Sequence, residues 1–201
     1  MTLLADGGVN DSPRLFFRNH LQQHTARAVD LVWFLDQSIP KFSGSAEVRL
    51  AVEELIDRLG FFMGLATARD DDPDSGHALW SSADGDCLVV VAVDPARAIP
   101  SISASLHTRD RLLASVAVTS EQQLTCLHVV CGAANERLLN EAVHLRHATR
   151  HLRFITVDAL MRLTGLVEAG HLSAEQAVAV LRPPSALADP VIAVLSPPLW
   201  R

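Results

Sequence analysis

Seven consecutive residues, Cys87 to Val93 (CLVVVAV), are apolar, and four of them are Val. A strand with one wet face alternates apolar and polar residues. A run apolar at every position belongs to a strand covered on both faces. A second such run, Leu124 to Cys131 (LTCLHVVC), follows about thirty residues later. Two doubly covered strands with a long connection between them require layers above and below one sheet. All-helical and simple sandwich solutions are thereby disfavoured, and an α/β chain is the expectation.

The flanking segments fit that frame. Asp11-Ser12-Pro13 is a helix start, with a capping side chain and Pro in the first turn. Leu15, Phe16, Ala28, Leu31, Val32, Phe34 and Leu35 continue a helical period to about Gln37, and Ile39-Pro40 stops it. Ser43-Gly44-Ser45 caps a second helix, whose Val48, Val52, Leu55 and Leu59 form an apolar stripe ending at Gly60. Leu65–Arg69, Gly76–Ser82 and the buried run at Cys87 read as three strands, and Asp84-Gly85 marks the tight hairpin before the third. Ser103–Val118 and Ala133–Arg150 read as helices on either side of the second buried strand. Leu152–Thr156 reads as a strand, Val157–Glu168 as a helix, and Ser173 caps a last helix that Arg182-Pro183-Pro184 ends. The expected fold is therefore α/β, a mixed central sheet flanked by helices. Residues 1–44 form an N-terminal helical extension, 45–182 the α/β domain and 183–201 a Pro-rich tail whose apolar residues pack on something.

Charge and cysteine content narrow the classes. The net charge is −6, so attraction to nucleic acid requires a local Arg patch. Met1 to Asp11 lacks a basic segment followed by a long apolar run, so no signal peptide is expected, and no apolar stretch is long enough for a membrane span. Cys87, Cys126 and Cys131 sit in apolar runs and read as reduced, buried thiols, which makes a cytoplasmic location the expectation. Five residues apart in a strand, Cys126 and Cys131 face opposite ways and do not share a metal.

The segment Val52-Glu53-Glu54-Leu55-Ile56-Asp57-Arg58-Leu59-Gly60-Phe61, the Trp80 hairpin with strand Leu88–Val93, and Phe154-Ile155-Thr156-Val157-Asp158-Ala159-Leu160 together resemble restriction-endonuclease-like domains (the PD-(D/E)XK family) over roughly residues 45–182. The resemblance implies a metal-dependent phosphodiesterase scaffold with an Asp on the second strand and a Glu-any-Lys triplet on the third. Asp74 best matches the first position; Asp84 and Asp86 fit less well. The triplet falls in Val90-Val91-Ala92-Val93-Asp94, where neither Glu nor Lys occurs. Composition sharpens this departure. Of 17 basic residues only Lys41 is Lys, but the position that calls for Lys holds Val93 or Asp94 and not Arg. The resemblance therefore implies an inactive member: a non-catalytic nuclease-like binding or assembly subunit, with nucleic-acid processing or defence as its context and no cofactor. The alternative is a divergent nuclease using Glu54, Asp74 and Asp94 with Mg²⁺ or Mn²⁺, and Arg97 in place of the Lys. A further alternative is a module that forms homo-oligomers or binds a protein partner.

Other clusters carry weaker chemistry. The Asp-rich turns (Asp70 to Asp72, Asp74, Asp84, Asp86) read as solvated loops, where Asp bonds its own backbone. His144, His147 and His151 share a helical face, but Arg146, Arg150 and Arg153 accompany them. That mixture suits an anion or nucleic-acid contact better than a metal. His20 and His24 lack the Glu of a zinc protease motif. No Gly-x-Ser-x-Gly or Gly-x-Gly-x-x-Gly occurs. Four of the ten Phe and Trp residues (Phe16, Phe17, Trp33, Phe34) lie in the first helical run. Phe17 and Trp33, with Trp200 in the tail, are the candidate interface anchors.

Overall fold

A computed structural model describes residues 13–41, 45–69, 77–93, 110, 124–132, 152–182 and 188–195. Of the expected helix over 103–118 only Asp110, helical and exposed, is among the described residues, and the expected helix over 133–150 lies outside them.

The first helical run is broken rather than continuous. Helix α1 spans Pro13–His24, a 3₁₀ turn spans Ala28–Leu31, and α2 spans Val32–Ser38. The break has a local cause. Asp30 accepts hydrogen bonds from the backbone N–H groups of Ala26 and Arg27. Arg58 holds the far side, donating to the Thr25 carbonyl and hydroxyl oxygens. Helical periodicity in the side chains does not register such a competing backbone arrangement.

Helix α3 spans Ala46–Phe62, and its start is set by Ser45, whose hydroxyl accepts the Val48 N–H. The helix runs through Gly60 instead of ending there. The chain turns at Gly64, whose φ of +80° favours glycine. Gly60 serves a different purpose: a Cβ there would lie 2.7 Å from the Trp80 ring. The missing side chain lets α3 settle directly on the indole, and the Trp80 Nε1–H donates to Asp57 one turn earlier.

Among the described residues five strands form one open mixed sheet in the order β1-β2-β3-β4-β5. They span Ala66–Arg69, His77–Ser81, Cys87–Val93, Leu124–Val130 and Leu152–Thr156. Strand β2 is antiparallel to β1 and β3, whereas β3, β4 and β5 are mutually parallel. Gly85, at φ +85°, supplies the left-handed residue of the hairpin between β2 and β3. Every residue of β4 is buried, and β3 is buried except for partly covered Ala92, as continuously apolar runs require.

Register divides the sheet into two faces. Trp80, Leu88, Val90, Leu127, Val129 and Ile155 point to the face that carries α3 and α4 (Val157–Glu168) and join the main core. His128 and Phe154, paired across β4 and β5, share the other face, their ring centroids 5.2 Å apart. Cys131 joins the main core, while Cys126 pairs with Leu152 on the opposite face. Each fully buried Leu, Ile or Phe stabilises by about 1.5–3 kcal/mol before the entropy of ordering is subtracted.

Two further helices close this side. Helix α5 (Ala174–Leu181) begins with a capping box in which Ser173 and Gln176 exchange hydrogen bonds. Helix α6 (Asp189–Leu195) lies in the expected Pro-rich tail and buries Ile192 in the core. Phe17, Leu21, Ala28, Leu31 and Leu35 also belong to this core, so the N-terminal helices share it with the sheet.

Candidate functional site

Helix α1 crosses α3 through charge rather than through apolar contact alone. The Arg18 guanidinium reaches both oxygens of Glu54, at 2.7 Å from Nε and 2.9 Å from Nη2. Arg14 donates to Glu54 at 2.6 Å and to Glu53 at 2.9 Å. Glu53 and Glu54 occupy adjacent positions of one helix and are both buried. Two buried carboxylates side by side are costly unless cations balance them, and the guanidinium forks of α1 supply that balance. The hydrogen bond to Glu54 holds the Arg18 pKa above its usual value despite partial burial.

A cleft opens beside this cluster, lined by Arg18, Gln22, Glu54, Asp57, Arg58 and Thr67. Arg58 packs its guanidinium over Phe61 and Phe62, at 4.4 and 4.5 Å from the ring centroids, and burial lowers its pKa. The acidic oxygens facing the cleft already accept bonds from Arg and Trp donors. A metal binding Glu54 would have to displace two guanidinium groups. Among the described residues no three His, Cys, Asp or Glu side chains converge in a geometry suited to a metal ion.

The sequence candidates are placed as follows. Glu54 is buried in the α1–α3 ion cluster. Asp74, Asp94 and Arg97 lie outside the described residues, as do Arg146, Arg150, His144, His147, His151 and Trp200. Arg153 is only 1% exposed. It lies on β5, points to the main-core face and donates to the Val180 carbonyl in the last turn of α5, where a helix gathers negative partial charge. This placement buries it away from the solvent-facing arginine surface expected from sequence, because strand parity, not helical spacing, sets its direction. Asp86 pairs with Arg182 at 2.8 Å, tying the β2–β3 hairpin to the end of α5. Phe17 is buried against Phe34 and belongs to the core, whereas Trp33 is 65% exposed.

A second concave surface was not legible in the sequence. An open groove of about 240 Å³ runs between the Arg27–Val32 segment and α4, with Val29, Val32, Met161, Gly165 and Leu166 along it and Arg27 and Arg162 beside them. Gly165 shapes it: a Cβ at that position would meet no atom within 4 Å. The Glu168 carboxylate accepts the Ala28 N–H at 3.0 and 3.2 Å and fixes the two walls together. A gap between elements distant in sequence leaves no periodic signal. In the sequence Val32 reads as part of the helical period and Trp33 as a candidate anchor, and neither marks the gap.

Comparison with protein-family models, with curated proteins and with solved structures finds no match. No described helix is long and apolar enough to cross a membrane.

Proposed function

We propose that this chain is a non-catalytic binding and assembly subunit built on a nuclease-like α/β scaffold. The observation that carries this reading is the state of Glu54. It belongs to the candidate metal-binding set, and it is held by Arg14 and Arg18 from α1. A carboxylate so neutralised stabilises helix packing and is a poor divalent-metal ligand. Strand β3 supports the same reading, since no residue from Cys87 to Val93 carries a carboxylate or an amine. The element order also supports it: a helix, a three-strand meander and two further strands follow the order on which the nuclease-like resemblance rests. An association with nucleic-acid processing or defence rests on that resemblance alone.

The test is direct. Purified full-length protein is incubated with supercoiled DNA, linear DNA and single-stranded RNA in Mg²⁺ and in Mn²⁺. The expected result is no cleavage above a buffer control. Cleavage that Asp74→Ala abolishes would establish the divergent phosphodiesterase instead.

A further inference from the structure

The exposed segment from Arg27 to Asp36 combines three features on one surface. Val29 is 60% exposed and Trp33, one turn later, 65%, with Val32 between them also exposed. The groove lined by Val29 and Val32 lies alongside. Arg27 stands at the start of the segment and Asp36 at its end, both exposed and neither in an ion pair among the described residues. An exposed indole, one wall of an apolar groove and an exposed charge of each sign therefore lie within one short segment.

We propose that a second copy of this chain occupies the groove, as a two-fold dimer in which Trp33 of each copy enters the groove of the other; this rests on the assembly reading above. Two observations select a second copy over an unrelated partner. First, Trp33 follows the groove residue Val29 by one turn, which sets knob and groove side by side, as a closed, isologous pairing requires. Second, the charges complement themselves. Antiparallel pairing about a two-fold axis sets Arg27 of one copy against Asp36 of the other, twice, with Val29, Val32 and Trp33 between them. The surface is also set in place beforehand, by the Glu168 bonds to the Ala28 N–H and the Arg58 bonds to Thr25. Little ordering remains to be done on association.

The mass of the full chain is measured by sedimentation equilibrium over a concentration series, with circular dichroism and Tm as folding controls. Wild type is expected to dimerise. Trp33→Ala removes the knob, and Gly165→Leu fills the groove from a position with open space; each is expected to give a folded monomer. Arg27→Glu is expected to weaken the dimer by at least about tenfold, and Arg27→Glu combined with Asp36→Arg to restore it, a rescue that loss of folding does not produce. A wild type that stays monomeric at every concentration overturns the proposal. So does a dimer indifferent to Trp33→Ala and to the charge swap. Monomeric protein without nuclease activity would sink the dimer and leave the non-catalytic reading standing. Dimeric protein that cleaves nucleic acid would do the reverse.

Discussion

Arg18 and Glu54 form a two-pronged ion pair across thirty-six residues of sequence, with both carboxylate oxygens engaged. The pair, with Arg14 on the same carboxylate, makes α1 a structural partner of α3. Glu54→Gln removes the charge and leaves two guanidinium groups at a buried position. Breaking a buried pair from one side costs about 3–5 kcal/mol. Arg18 is partly solvated, with 39% of its side chain exposed, so a loss of about 2–3 kcal/mol is expected. For a chain of this size that lowers Tm by roughly 4–12 °C, measurable by thermal melts followed by circular dichroism. An unchanged Tm would show that the cluster contributes nothing net.

Two helical glycines are expected to respond in opposite ways. Gly60→Ala drives a methyl group into the Trp80 ring, a rigid neighbour held by Asp57. Overpacking of this kind costs about 1–3 kcal/mol. Pairing it with Trp80→Leu should recover part of that loss, so the double-mutant cycle is non-additive. Additive losses would mean that the two side chains do not collide.

Gly165→Ala meets no neighbour and sits inside a helix at a conformation alanine prefers. A gain of about 0.5–1 kcal/mol is expected from the reduced freedom of the unfolded chain and better helix propensity. Denaturant midpoints for wild type and Gly165→Ala decide it. A loss of stability would mean that the groove is tighter than described.

His20 supplies a pH dependence. Its pKa is lowered from the ordinary value of 6.5, first by burial and then by the neighbouring His24, whose ring centroid is 4.4 Å away. A His with a lowered folded pKa binds its proton more weakly in the folded state than in the unfolded one. It therefore leaves stability unaffected well above 6.5 and reduces it as pH falls through and below that value. The effect is small, because the ring keeps partial access to water. An NMR titration of the His20 ring should show the lowered midpoint, and His24→Ala should raise it part of the way back. A His20 midpoint at the ordinary value would remove this dependence.

Strands β3 and β5 and helix α4 could be read to the residue, and strand β4 to within one, because their bounds are set by residues adjacent in the chain. Ser173 also acts at the start where local capping chemistry places it. What escaped depends on partners far away in the chain. The role of Gly60 requires Trp80, twenty residues on, and that of Glu54 requires α1. Arg153 was grouped with the arginines preceding it, although its strand turns it inward to the end of α5. Break points inside a periodic run, such as Thr25 to Arg27, are set by side chains that compete for the backbone and leave the period intact.

The Ala188 N–H donates to the Phe154 carbonyl of β5 at 2.9 Å, and Ile192 behind it is fully buried. Among the described residues β5 is the last strand of the sheet, so this bond covers part of its outer hydrogen-bonding edge. Exposed edges recruit other chains. Truncation at Ser185 therefore uncovers adhesive backbone and a core cavity together. The shortened protein is expected to aggregate through β5, in a manner that neither Trp33→Ala nor the Arg27/Asp36 charge swap would relieve. The tail thus acts as a guard against promiscuous strand pairing.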